Sequence, residues 1–551
     1  PYDYGTELLP TIPLSLCIPR MKYYACTLAG VFLLGWPLQP VESFSNAPSS
    51  KHQCYESSKR SRIPIISVSA TTSSSEEKNV AILPLPPTKG QNLYRCIRDT
   101  FSYISNPNRF IRLRSEELGP IFLTYQFFKP CVIIGGQETV KEFVTGNELQ
   151  RGVVYPTMPE AFVELHTEWG TINLDSNDEK FKQARGLFAD VLQSKKAMGV
   201  FSELIYAEVE AYMEDLVDRV KKDPEQAIFL MPELTSFFLQ VFSKVISGKG
   251  LTTDQEQMFR DYNTALLSLS KGSNQYKKGY TALTELTAEM LQRYKEAGES
   301  EENTGRWYHE QVAGRRGFED DRISTTMVLF IWAAYVECAN LAVNTLAQIA
   351  QYPERNLLTS VRREITVAES IDEILSTIQF KYWDQFDYTL GLLRETLRLV
   401  PPGPGIPRYG PSDFALAGYR IPSGTPIMMD PRIGNNDPAL FPEPGKFEPL
   451  RWIPASGDIP LSSQCPLSGT SLERGAGSWF PGGFGAHQCP GIPIAELVGK
   501  MLVTKMASEF DSWENSGDGL TKDGEIKYVN LPIMCPVDEF GMKFKLAEDL
   551  S

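Results

Sequence analysis

No Cys-x-x-Cys pair occurs among the nine cysteines, at 17, 26, 54, 96, 131, 338, 465, 489 and 535. An odd, scattered set of this kind argues against a disulfide scaffold and reads as mostly reduced thiols in a large enzyme. Positive charge is also scarce: the net charge is −14 and the pI about 5.1, which disfavours a nucleic-acid partner. No internal repeat and no flavin or iron–sulfur motif is found. The apolar run near the N-terminus, Tyr23 to Leu38, is broken by Gly30, Gly35 and Pro37 and is short for a bilayer span.

What is present describes a globular protein of 551 residues, 42% hydrophobic and 22% charged, enough for one large domain with appendages. Residues 1–20 show no clear pattern, and Met21 is the expected native start. Lys22 and the apolar run make 21–43 signal-peptide-like. Residues 44–82 open on Phe44 and are Ser-rich, with Lys51, Lys59, Arg60 and Arg62; they read as a disordered, transit-peptide-like segment. That order resembles the bipartite plastid presequence of algae with secondary plastids. A plastid is the expected location, and the endoplasmic-reticulum membrane is the alternative. Residues 83–551 read as a single folded domain, entered through the stiff Leu83-Pro84-Leu85-Pro86-Pro87.

Within it, 121–125 and 131–134 are apolar, β-rich and split by a short turn, which predicts a hairpin. The segment 177–192 is amphipathic and sets Phe181 and Arg185 on one helical face. Between 200 and 300 several helices are expected, with breaks at Gly248-Lys249-Gly250 and Lys271-Gly272-Ser273. Ile323 to Gln351 is apolar nearly all round and stopped by Pro353, a helix for the core. Trp383 to Val400 is another helix, with Glu395 and Arg398 three apart; alone, such a pair is a surface bridge of about 0.5 kcal/mol. Closing strands are expected over 526–531 and 540–546.

The stretch Trp479 to Gly491 carries the chemistry. Gly482, Gly483, Gly485 and Gly491 are what a tight loop needs when a flat ligand presses on its backbone. Cys489 ends the loop just before a helical run, where unpaired amides and the helix dipole favour a thiolate, the metal-ligating form. His487 and Cys489, with no second pair downstream, make a poor zinc site. By itself the loop also allows a small buried cysteine and a turn-capping histidine.

The loop resembles the haem-thiolate signature of the cytochrome P-450 family, F-G-x-G-x-(R/H)-x-C-x-G. Gly485, His487, Cys489 and Gly491 match it; Gly482 stands in the place of the leading Phe, and Phe484 comes two residues late. Upstream, Glu395-Thr396-Leu397-Arg398 and Phe447-Glu448-Pro449-Leu450-Arg451 resemble the family's E-x-x-R and F-x-P-x-R motifs, in order. The resemblance covers roughly residues 83 to 548, and the first half is similar to the subgroup of sterol demethylases, retinoic-acid hydroxylases and plant hormone oxidases. It implies a mainly α fold, with a large helical domain, a smaller β-rich part and haem between them. Cys489 would be the iron ligand, and His487, Arg408 and Arg185 the haem-propionate partners. Phe484, Gly483, Gly485 and Gly491 would line the cofactor, and Glu395, Arg398 and Arg451 would form a structural network behind it.

Ala334-Tyr335-Val336-Glu337-Cys338 falls where the family has (A/G)-G-x-(D/E)-T. This makes Ala334, Glu337 and Cys338 the catalytic candidates, with a thiol in place of the alcohol and Tyr335 in place of a glycine. The implied activity is a monooxygenase acting with O2 on a terpenoid, carotenoid or retinoid, sterol or fatty acid. A ferredoxin or flavin reductase would donate electrons, with Lys180, Lys182, Lys195, Lys196 and Lys500 as a basic landing face. The expected protein is a monomer with room for peripheral membrane contact. Because a thiol is a weak donor, one alternative is a hydroperoxide-rearranging lyase or isomerase, or a peroxygenase, needing no reductase. Another is a haem-binding protein without catalysis.

Overall fold

The computed structural model describes residues 83–145, 155–156, 160–167, 169–266, 268, 271–375, 380–403, 405, 407–453, 479–483, 485–529 and 533–547. The three presequence segments (1–20, 21–43 and 44–82) and Phe484 lie outside the described residues.

Helices α1 (Leu93–Ser105) and α2 (Pro107–Leu118) precede the hairpin β1 (Ile121–Gln126) and β2 (Lys129–Ile134). Asn92 and Asn106 cap the two helices by accepting from the amides of Arg95 and Arg109. The hairpin pairs Ile121 with Ile134 through to Gln126 with Lys129. Its tip places Phe127 and Phe128 at φ of 48° and 63°, a left-handed turn in which glycine or asparagine is usual. Next come α3 (Gln137–Thr145), β3 (Tyr155–Pro156), α4 (Glu160–Leu165) and α5 (Glu179–Phe188), which passes into a π-helical turn at Ala189–Gln193.

The helical body follows as α6 (Lys195–Lys222), α7 (Leu230–Ser247), α8 (Thr253–Ala265), α9 (Asn274–Glu299) and α10 (Arg306–Val312). Then come α11 (Asp320–Gln351), α12 (Leu357–Leu375) and α13 (Asp387–Leu399). Four short strands are next: β4 (Arg408–Tyr409), β5 (Phe414–Leu416), β6 (Tyr419–Ile421) and β7 (Ile427–Met429). After α14 (Pro431–Asn435) and α15 (Ile492–Glu509), the chain closes with β8 (Phe510–Ser516), β9 (Tyr528–Val529), β10 (Cys535–Pro536) and β11 (Gly541–Leu546).

The main sheet has the order β1-β2-β7-β4-β3, with β2 and β7 parallel and the other pairs antiparallel. Its apolar face forms a small core with Val140, Phe143 and Phe480. The large core is helical and centred on α11, which packs against α7, α9, α13 and α15. Asp320 and Asp321 in its first turn complement the helix dipole, and Pro353 ends it. By length and composition α11 could cross a membrane, but two thirds of that window is buried among other helices (67%), as in a core helix.

Two expectations shift. The helix expected from Trp383 begins only at Asp387, after a 3₁₀ turn over Phe380–Gln385. Glu364 of α12 fixes that start by accepting the amides of Tyr388 (2.5 Å) and Thr389 (2.9 Å). The strand pairing with β11 is β8, which follows α15 directly; β9 is only Tyr528–Val529.

Candidate active site

The loop before α15 is held by its own backbone. The amide of Cys489 donates to Gly482 O (2.7 Å), that of Gly483 to Phe480 O (3.0 Å) and that of Gln488 to Gly485 O (3.0 Å). Gly483 and Gly485 take φ of +77° and +73°, where a side chain is strained. A Cβ on Gly482 would stand 3.0 Å from Cys489 Cβ and 2.9 Å from Ile492 Cγ1. The turn therefore has no room for the aromatic ring that the signature places there.

Helix α15 starts without a side-chain cap, and the amides of Gly491 and Ile492 donate to the Cys489 sulfur instead. Enclosure by protein outweighs them and holds the thiol above its ordinary pKa. The helix start by itself thus does not make the thiolate; coordination to iron does that outright. By accessible surface Cys489 nevertheless counts as exposed. A sulfur ringed by protein but open at its tip satisfies both observations, and the enclosure decides its protonation.

Three basic groups converge beside it. The Phe181 ring lies 4.5 Å from that of His487. Burial first, then Arg408 and Arg185, pushes the His487 imidazole down to about 3. Arg408 on β4 is buried, which lowers it to about 10, with Asp175 opposing. Burial likewise lowers Arg185, against the pull of Cys489. Among the described residues neither arginine has a carboxylate within salt-bridge distance, and His487 Nε2 is buried without a partner. Buried donors gathered without a carboxylate partner fit a doubly acidic ligand. The two propionates of haem fit this cradle, with Cys489 as the iron ligand.

Near the sulfur runs α11. Ala333 is exposed in mid-helix, while Leu329, Val336 and Glu337 are half-buried. Positions 329, 333, 336 and 337 share one helical face, which therefore borders open space. Glu337 raises the Cys489 thiol electrostatically, and Cys489 does the same to Cys338. Burial lifts the Glu337 carboxyl to about 7. Cys338 is buried and its thiol stays protonated, through burial and then the charge of Glu337. Ala334 is half-buried, and Tyr335 is fully buried and electrostatically linked to Tyr262 of α8.

Glu395 lies at the centre of a buried network. It accepts from Arg398 Nε (2.9 Å) and Nη2 (2.7 Å), Arg451 Nε (3.2 Å), Trp452 Nε1 (2.9 Å) and the Glu448 amide (2.9 Å). Arg398 also binds the carbonyls of Asn435, Pro444 and Lys446 at 2.7 to 3.0 Å. Trp452 was not among the expected residues, although it follows Arg451 directly. The basic landing face needs one correction. Lys500 is buried and donates to Trp383 O (2.5 Å), so it cannot meet a partner. Lys182, Lys195 and Lys196 are exposed.

A family model described as Cytochrome P450 matches residues 96–532. Cytochrome P450 26A1 of Xenopus laevis is 24% identical over 84% of this chain and 90% of its own length. Cyclooctat-9-en-7-ol 5-monooxygenase of Streptomyces melanosporofaciens is 26% identical over 43% of this chain and 48% of its own. Among solved structures, a retinoic-acid-bound cyanobacterial CYP120A1 aligns with a TM-score of 0.66 and 19% identity, covering 84% of this chain and all of that one (100%).

Proposed function

The chain belongs to the cytochrome P450 family, as a monooxygenase-type oxidoreductase with haem as its cofactor, and on that premise we propose that it inserts one oxygen atom of O2 into an extended lipophilic substrate. The observation that carries this reading is the electrostatic influence of the buried Glu337 acid on the Cys489 sulfur, which brings the core helix and the cysteine loop close together. Haem held by Cys489 supplies the oxidation. The chain's own residues exclude water, orient the ring through Arg185, Arg408 and His487, and keep an ionisable proton on Glu337 near neutrality. The Streptomyces relative's name and the retinoic acid bound in the structural neighbour support an isoprenoid-like substrate.

Electrons come from a separate reductase, with a ferredoxin as donor if the presequence directs the protein to a plastid. Lys182, Lys195 and Lys196 supply the landing charge. A membrane contact suits the exposed Leu93, Tyr94, Ile97 and Phe101 of α1 with Phe127 at the hairpin tip. The endoplasmic-reticulum membrane remains the other location, and a monomer is the expected state.

The buried, protonated Cys338 favours one second reading, a hydroperoxide-rearranging enzyme or peroxygenase. Purified holoenzyme is assayed with a reductase, reduced nicotinamide and O2, and separately with a fatty-acid hydroperoxide alone. Product only in the first assay is expected. Turnover with hydroperoxide alone would install the second reading, and bound haem with no turnover in either would leave a haem protein without catalysis.

A further inference from the structure

Helix α4 (Glu160–Leu165) has only six residues, too few to hold itself, so it depends on what it packs against. Val163 and Glu164 face solvent, while Ala161 and Leu165 are buried in the main core. Leu165 O accepts from Tyr262 Oη of α8 (3.1 Å), and Glu164 pairs with Lys271. The last anchor is His166, whose amide continues the helix by donating to Phe162 O (2.9 Å). Its ring is stacked on Phe162 (centroids 4.1 Å apart) and stands at right angles to Trp332 of α11 (4.8 Å, 89°). Gly170 crowds it as well: a Cβ there would lie 3.2 Å from His166 Cδ2.

The ring is sealed in this box. His166 is 1% exposed, and among the described residues both of its buried ring nitrogens lack a hydrogen-bond partner. A neutral imidazole carries one donor and one acceptor, and burying both unpaired forfeits the bonds they make with water. A phenylalanine would fill the same space at no such cost, so packing alone does not account for a base here. Nothing packed against the ring supports a charged form either. Glu164 on its own helix is committed to Lys271, and on α8 Tyr262 is committed to Leu165 O, Arg260 to Glu256 (2.6 Å) and Asp261 to Lys278 (2.9 Å). On α11 the Trp332 indole donates to Asn263 (3.0 Å). Burial is the one cause acting on His166, and it lowers the imidazole to about 3 from an ordinary 6.5.

We propose that α4 is an acid-sensitive cover on α8 and α11, held down while His166 is neutral and held open once the imidazole has taken a proton from solvent. The sealed ring has no counter-charge to accept a cation, so the proton is taken up only after α4 has lifted and water reaches the nitrogens. Closed, His166 titrates near 3; lifted, it titrates at its ordinary 6.5. The closed form is therefore at its most stable above pH 6.5 and loses ground as pH falls from 6.5 toward 3. Lifting α4 frees the side of Trp332 that His166 covers, one residue before Ala333, whose exposed position borders the open space beside α11. Access to that space thus widens with acid. The device concerns entry and not oxidation, and it stands or falls independently of the O2-using reading.

Amide hydrogen–deuterium exchange of the holoenzyme reads this without turnover. The amides of His166 and Thr167, which donate to Phe162 O and Glu164 O, report the lifting, and α6 in the same digest reports global opening. After correction for intrinsic exchange, the lifted fraction should rise about 25-fold from pH 7 to pH 5, the ratio for a base of ordinary pKa 6.5 that titrates only when lifted. From pH 8 to pH 7 it should hardly change. His166→Phe should flatten the profile and make lifting rarer at every pH. Glu164→Gln, which removes the other titratable anchor of α4, should raise lifting throughout but keep the step between pH 7 and 5. The parent profile and Glu164→Gln carry the test if His166→Phe does not fold. A flat parent profile overturns the proposal, and so does an equal rise in α6, a step that survives in His166→Phe, or a step lost in Glu164→Gln.

Discussion

The back wall and the facing helix of the cavity are built on opposite plans. The Glu395 carboxylate accepts five bonds, and the Arg398 guanidinium uses both of its terminal nitrogens twice. Around Glu337 no such partner exists among the described residues, and burial lifts the acid to about 7. A charge that has lost its water is tolerated when fully paired and shifts its pKa when it is not. One region fixes geometry; the other keeps a proton available.

Cys489→Ser should give the largest effect, abolishing the haem-thiolate carbon monoxide spectrum and reducing turnover to background. A spectrum like the parent's would refute the ligand assignment. Glu395→Gln should come next, because it leaves Arg398 buried without its counter-charge. A loss of about 3–5 kcal/mol is expected for breaking a buried pair, read by denaturant unfolding of the holoprotein. A loss below about 1 kcal/mol, the value of an exposed pair, would erase the contrast.

Arg408→Leu should weaken haem retention by roughly 10–100-fold, the scale of one charge-assisted hydrogen bond, measured by haem transfer to an acceptor protein. Glu337→Gln should have the smallest effect on stability, and its sign is specific. The folded carboxyl titrates near 7 against an ordinary 4.5, so between those values the native state holds a proton the unfolded chain has lost. Its contribution therefore falls as pH rises through that window and stays low above it. The variant should match the parent near pH 4 and be the more stable one near pH 8. Parallel stability curves would show that Glu337 is not buried in charged form.

The same contrast sets what could be read in advance. Glu395, Arg398, Arg451 and Cys489 are spaced by motifs that the chain keeps in order, and local periodicity located α11 and the β1–β2 hairpin. Local pattern does not single out Asn340 and Asn344, because their partners Met534 and Tyr528 are nearly 200 positions away along the chain (194 and 184). Lys500 was misjudged for a related reason: its acceptor, Trp383 O, comes from a turn brought there by tertiary packing. The tight packing at Gly482 depends on the folded loop, so a mismatch in the signature could not be distinguished from a fitted turn.

The anchoring of Arg398 to three carbonyls of the 435–446 stretch has a mechanical consequence. A chain segment pinned by so many short bonds moves with α13 as one piece, and cannot flex when a bulky guest enters. Breathing for entry and release then falls to the opposite walls.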